Sequence, residues 1–213
     1  MKKNMLLILS LFISIQFVHS QEDDSVNATG YNPLEEFSVN LGGGIFMPLG
    51  DLSQYFGAGP FFEVSTDFKL PQKKSIGLSL QFVIPNQKDD FLYRRTIDTI
   101  QVKSTMMFNV FASFKKTLAS SDKSELDINV GIGASMITTD ARNPFYSGQE
   151  GENKYETVSA ILFAPGFEYR YDFNEDAQFI FGMSMHYAPY KLEGAVREDI
   201  GGLALVPRIA YIF

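Results

Sequence analysis

The chain has 213 residues, no Cys, no Trp and a formal net charge of −7. Without Cys there are no disulfides, no thiolate metal sites and no lipid-bearing cysteine, and so acidic a chain does not favour nucleic-acid binding, which needs a basic patch. A mean hydropathy of −0.04 argues against a bundle of membrane helices, and beyond residue 18 no stretch supplies the ~20 consecutive apolar residues a spanning helix needs.

Lys2 and Lys3 precede an apolar run over residues 5–18, broken only by Ser10, Ser14 and Gln16. Val18-His19-Ser20 then offers a cleavage site ahead of Gln21. A basic start, a short apolar core and small residues at the exit are the layout of a secretory signal peptide, so residues 1–20 are expected to be removed on export. His186 would then be the only histidine left. An anchoring helix is the rival reading, disfavoured because polar sequence follows at once. Residues 21–36 are acidic and turn-rich, with Gly30, Asn32 and Pro33, and are expected to form a flexible periplasmic linker. Asn27-Ala28-Thr29 fits a glycosylation acceptor, a match with little weight in a bacterial export context.

From Phe37 onward apolar side chains recur at every second position, the period of a strand. The first strand places Phe37, Val39, Leu41, Ile45 and Met47 on one face and Ser38, Asn40, Gly42 and Gly44 on the other. The second sets Phe62, Val64, Phe68 and Leu70 against Glu63, Ser65, Asp67 and Lys69. The third sets Ile76, Leu78, Leu80, Phe82 and Ile84 against Gly77, Ser79 and Gln81. The fourth sets Val102, Met106, Phe108, Val110 and Phe114 against Lys103, Asn109, Ser113 and Lys115.

The second half continues the beat. The fifth strand sets Leu126, Ile128, Val130, Ile132 and Met136 against Asp127, Asn129, Gly131, Gly133 and Ser135. The sixth sets Ile161, Phe163, Phe167, Tyr169 and Tyr171 against Leu162, Ala164, Gly166, Glu168 and Arg170. The seventh sets Phe179, Phe181, Met183, Met185 and Tyr187 against Gln178, Gly182, Ser184 and His186. The last sets Leu203, Leu205, Ile209, Tyr211 and Phe213 against Ala204, Val206, Arg208 and Ala210. Each run is long enough for a tilted strand to cross a bilayer core, which takes ~9–11 residues.

Connections alternate in length. Residues 71–75 and 172–176 are short, and 116–125 is somewhat longer. The other four connections, 48–57, 85–101, 138–156 and 189–202, are mostly longer. Short turns at one end and long loops at the other are typical of an outer-membrane barrel. An even strand count would place both termini at the short-turn, periplasmic end. Alternation alone does not separate such a barrel from a soluble one, whose apolar face points inward. Here the apolar face carries bulky Phe, Leu, Ile, Met and Tyr, too much volume for the inside of eight strands. The other face carries Gly, Ala and Ser between charges, which suits a narrow lumen. Aromatic residues also gather at strand ends, as at a bilayer interface. The expected fold is therefore all-β: a closed, antiparallel, up-and-down, eight-stranded transmembrane β-barrel spanning residues 37–213.

The ending Pro207-Arg208-Ile209-Ala210-Tyr211-Ile212-Phe213 and the segment Gly44-Ile45-Phe46-Met47-Pro48-Leu49-Gly50-Asp51-Leu52-Ser53 carry a resemblance. Over residues 37–213 the chain resembles the outer-membrane β-barrel domain family of Bacteroidota and, more loosely, the OmpX and OmpA barrels. The resemblance implies a place in the outer membrane. It also implies that Ile209, Tyr211 and Phe213 form a C-terminal signal read by the barrel-assembly machinery. Asp24-Ser25-Val26 and Asp98-Thr99-Ile100 resemble the short O-glycosylation motif of Bacteroidota. None of this names a task.

The inward face should hold a charge network of Glu63, Asp67, Glu168, Arg170 and Arg208. Glu63 and Arg208 are expected to pair across the first strand, with Gln81 and Asn109 nearby and Lys69 and Asp127 lower down. Buried charges persist only when paired and hydrogen-bonded, so a polar plug is the plain reading and a gated ion path the sharper one. Ser184 and His186 share one face, but no orienting acid accompanies them, as nucleophilic catalysis would require. His186 is expected to be a satisfied interior polar group. No catalytic residue, metal site or cofactor is expected. The loops 85–101 (Asp89, Asp90, Phe91, Tyr93, Arg94, Arg95) and 138–156 (Arg142, Phe145, Tyr146, Glu150, Glu152) are the best binding candidates, since loops on a rigid scaffold carry function. The expected function is a non-enzymatic structural or interaction role in the cell envelope, whether loop display or a subunit of an envelope complex. The expected partners are outer-membrane lipid, the assembly machinery and other envelope proteins. A narrow gated channel is the alternative, and a lipid-modifying enzyme a remoter one.

Overall fold

The computed structural model describes residues 37–94, 99–142, 155–174 and 177–213. The expected signal peptide and linker lie outside the described residues. Eight strands close into one antiparallel cylinder: β1 (Phe37–Leu49), β3 (Gly59–Leu70), β4 (Lys74–Val83), β8 (Ser104–Ser120), β9 (Ser124–Arg142), β10 (Tyr155–Asn174), β11 (Ala177–Tyr187) and β12 (Leu203–Ile212). Each pairs with the barrel strand before and after it, and β12 closes on β1, Asn40 facing Ile212 and Gly42 facing Ala210. Closure leaves the cylinder no edge strand. The connections hold five short elements: α1 (Leu52–Tyr55), β2 (Phe56–Gly57), β5 (Asn86–Gln87), β6 (Phe91–Arg94) and β7 (Thr99–Val102).

The pleat sends alternate side chains to opposite faces, and the apolar face is the outer one. Ile45, Phe62, Ile132, Ile161 and Phe167 stand exposed, Ile161 at 76%. Asn40, Glu63, Asp67, Gln81, Asn109, Lys115, Asp127 and Glu168 are buried inside. A soluble barrel has the reverse arrangement. At the end where β1 begins and β12 stops, Phe179 meets Tyr211 edge-on at 5.5 Å and Tyr211 meets Phe213 at 4.7 Å. Toward the other end Phe82 packs on Phe108 at 4.9 Å and Phe163 faces Tyr187.

Two features differ from the expectation. The stretch 116–125 is not a longer loop, because the β8–β9 ladder continues to Ser120 facing Glu125 and a bulge between Thr117 and Ala119 absorbs the change of register. Only residues 121–123 turn, closed by Ser121 N–H donating to the Ser124 carbonyl at 2.8 Å. Apolar alternation fades there because the strands outrun the apolar belt, not because they end. The strands are also unequal: β8, β9 and β10 have 17, 19 and 20 residues, whereas β4 and β12 have 10 each.

Candidate functional site

The lumen has two layers. The lower layer is a charge network. The Arg208 guanidinium pairs with Glu63 and, at 2.8 Å, with Glu168. The Lys115 ammonium reaches Glu168 at 2.9 Å and Asp67 at 2.8 Å. Amides add bonds to the same carboxylates: Gln81 donates to Glu63 at 2.6 Å, Asn129 to Glu168 at 2.8 Å and Asn40 to Asp67 at 3.0 Å. Arg170 forms a separate pair with Asp127 at 2.9 Å, with Glu125 at 3.6 Å. The backbone makes room for this chemistry. Arg208 faces Gly44 on β1 and Gly182 on β11. A methyl group at Gly182 would stand 2.9 Å from Arg208 Cγ and Nε. The gap left beside Glu63, Glu168 and Arg208 has a volume of about 20 Å³, room for about one water.

The upper layer is apolar, which the alternation did not suggest. Phe46, Phe61, Val83, Met107, Ile137, Leu162 and Val206 point inward and are buried. On them rests a cap built from the long connections, whose Leu52, Phe56, Phe91, Tyr190, Leu192 and Ile200 are all 0–1% exposed. β2 pairs with β5, and β6 with β7. The loop 188–202 joins this assembly through an antiparallel bridge from Ala195 to Tyr93 and a 2.7 Å bond from Val196 N–H to the Leu92 carbonyl. Arg197 ties the same loop to α1, pairing with Asp51 at 3.0 Å and donating to Gln54 at 2.7 Å. The Tyr190 hydroxyl descends from the cap to bond Ser135, and Ser135 bonds Asn109. Asn109 donates to Gln81 at 3.1 Å, so cap and charge layer belong to one hydrogen-bonded chain. Burial pushes the Tyr190 phenol up to about 12. Burial, with Glu156 beside it, does the same to Tyr93.

No protein-family model and no curated protein sequence matches the chain. Solved structures do match. Neisserial surface protein A superposes with a TM-score of 0.57 at 10% identity, over 83% of this chain and 95% of that one. A major outer membrane protein from Thermus thermophilus gives 0.50 at 11% identity, over 83% and 97%. The fold is that of small outer-membrane barrels. Identity so low speaks to the fold alone, and the site must be read from this chain.

Glu63, Asp67, Glu168 and Arg208 lie in one connected network, while Arg170 sits in the neighbouring pair with Asp127. Lys115, at the centre of the network, was not singled out from the sequence, although its inward parity two residues after Ser113 was visible. Lys69 shares that parity but is exposed at the end of β3 and joins no ion pair among the described residues. His186 is not the satisfied polar group expected. It is 2% exposed, both ring nitrogens lack hydrogen-bond partners, and its ring meets Phe111 edge-on at 5.7 Å. It therefore bonds neither Ser184 nor any carboxylate. The register places it beside Ala204, where the lumen turns apolar. Ile209 and Phe213 are exposed on the outer face, and Tyr211 lies against Phe179 and Phe213. The loop 85–101 is more than a surface loop, since Phe91 is a core residue of the cap and Ile100 packs against that core. Arg95, Asp98, Phe145, Tyr146, Glu150 and Glu152 lie outside the described residues, and Arg142 closes β9.

Proposed function

We propose that this chain is a closed, non-enzymatic outer-membrane barrel whose role in the envelope is structural or interactive, carried by the loop cap it displays. The observation behind this reading is the double closure of the lumen. Paired charges fill it below, an apolar layer fills it above, and a folded cap seals the mouth. An eight-stranded cylinder has interior enough only for its own side chains, and here the lower ones pair as charges while the upper ones pack as an apolar layer. The belt of outward Ile, Leu, Met and Phe suits outer-membrane lipid, since closure gives every barrel strand a partner on both sides, as lipid demands of a spanning sheet. On this reading residues 1–20 direct export and 21–36 form the periplasmic linker. Both termini are periplasmic, and Ile209, Tyr211 and Phe213 present the C-terminal signal to the barrel-assembly machinery. Other envelope proteins are then the natural partners of the cap.

Planar-bilayer recording of the refolded chain tests the closed barrel. Silence at ordinary voltages is expected, and steady unitary conductance would overturn it in favour of a gated channel. Protease added to intact cells tests the display: cleavage within residues 188–202 is expected, and complete protection would place the cap elsewhere.

A further inference from the structure

The chain carries a net charge of −7, yet one spot on its outer wall is basic. At the turn end of the barrel the register sets Lys74 of β4 directly opposite Lys116 of β8. Lys73 joins them, its carbonyl accepting from the Thr117 N–H at 2.9 Å. Like charges facing each other across a ladder are destabilising. Among the described residues none of the three lysines forms an ion pair, and the Lys74 ammonium donates only to the neutral Gln72 amide oxygen at 2.9 Å. Carboxylates of the neighbouring strands are engaged elsewhere, Asp67 with Lys115 and both Glu125 and Asp127 with Arg170.

The backbone adds a second cost at the same place. Gln72 and Lys73 hold φ at 65° and 57°, in the left-handed region that Gly or Asn normally fills in a hairpin turn. A side chain kept in a strained conformation points to a use for that side chain.

The surroundings indicate what relieves the repulsion. Strand parity sends Lys74 and Lys116 out on the same face as Ile76, Leu78 and Phe114, which are 47–48% exposed. Ile76 faces Phe114 one outward pair above the lysines, and Phe68 faces Ile76. The two ammonium groups thus stand where the apolar belt meets water, with stems long enough to lie along it. A ligand with a negative head and an apolar tail fits both halves. A soluble anion meets the charge but leaves the belt uncovered, and an acidic protein segment would have to lie on a face that lipid occupies. The acidic residues 21–36 enter at Phe37, which faces Phe68, so Lys69 rather than the outward pair is the lysine beside that entry.

We propose that Lys74 and Lys116, with Lys73, bind the phosphate head of an anionic phospholipid whose acyl chains lie against Ile76, Leu78 and Phe114. The proposal rests on the membrane-barrel reading above, which puts this lipid in the periplasmic leaflet.

The test is lipid co-purification. The refolded chain is passed through gel filtration in zwitterionic micelles doped with equal amounts of phosphatidylglycerol and phosphatidylcholine of the same chain length. Its lipid is then extracted and quantified by mass spectrometry. Phosphatidylglycerol should be enriched about fivefold over the input. K74Q/K116Q should fall to the input ratio, and K74R/K116R should keep the enrichment. K123Q removes an exposed lysine from the β8–β9 turn at the same end and should keep it too. Excess inorganic phosphate should not displace the lipid. Equal retention of the two lipids would overturn the site. So would a K74Q/K116Q protein with the parent's preference, a K123Q protein that loses as much, or displacement by inorganic phosphate. Folding is read separately, from the heat-modifiable band of each protein. A chain that does not fold in micelles counts against the barrel reading, whereas a folded barrel without enrichment counts against this site alone.

Discussion

Lys115 and Glu168 form the central contact of the lumen, ammonium to carboxylate at 2.9 Å with both side chains about 5% exposed. Lys115 also neutralises Asp67. Lys115→Met would thus leave buried Asp67 without a cation and Glu168 with Arg208 alone. Breaking one side of a buried pair costs ~3–5 kcal/mol. The variant should unfold at clearly lower urea in detergent micelles and lose its heat-modifiable band on gels at a lower temperature.

Glu63 and Arg208 should be strongly non-additive. Each alone leaves a buried partner, whereas replacing both removes the stranded charge on that side. A double-mutant cycle with Glu63→Gln and Arg208→Met should show coupling of about 1–3 kcal/mol. Simple additivity in equilibrium unfolding would mean that the pair contributes nothing specific.

Gly182 is expected to tolerate no side chain while Arg208 is present. Gly182→Ala puts its methyl group against Arg208 Cγ and Nε and should cost about 1–3 kcal/mol. Combined with Arg208→Ala, the same substitution should add little, because the obstructing atoms are gone. Unfolding midpoints of the two backgrounds decide this.

Phe56 is 1% exposed in the cap core, and deleting such a ring costs ~3–5 kcal/mol. The barrel below has its own hydrogen-bonded ladder, so Phe56→Ala should loosen the cap without dissolving the cylinder. Limited trypsin digestion should then cut at Lys88 or Arg197 faster than in the parent while the strands stay protected.

The cap should also yield to alkali. Burial raises the Tyr190 phenol to about 12 from an unfolded value near ~10. A group that holds its proton more tightly when folded stabilises the fold fully below the lower value and loses that contribution as pH climbs through the higher one. Cap stability should therefore fall between pH ~10 and ~12, seen as late tyrosinate absorbance coupled to protease sensitivity. Tyr190→Phe should shift that loss to the weaker step set by Tyr93.

The barrel was legible because lipid-type alternation is strong: bulky outer side chains and small or charged inner ones mark every strand. The Glu63–Arg208 contact was legible too, since parity and strand order bring the two residues together across β1. The apolar upper lumen was not. Phe46, Met107 and Ile137 have inward parity, but against so many outer aliphatics they read as noise in the pattern. The cap was hidden for a different reason. Leu52, Phe56, Phe91, Leu192 and Ile200 are scattered across three polar loops, and only tertiary packing gathers them. The idle nitrogens of His186 leave no trace in sequence, which tells a buried histidine's parity but not its neighbours.

The unequal strands give the molecule a front and a back. Twenty residues at ~3.3 Å each, tilted by ~45°, stand roughly twice as tall as ten. At the cap end β9 and β10 form a parapet, β10 running eight residues past the Phe163–Tyr187 pair that ends β11, while β8 puts much of its extra length at the opposite, turn end, beyond Lys116 facing Lys74. The cleft of the cap between α1, the β6–β7 hairpin and the loop 188–202 belongs to the low side, being walled by the connections between the shorter strands and by the hairpin that precedes β8. Visitors must come across the low sill, so neighbours crowded along that flank would shutter the cleft, and those along the parapet would not.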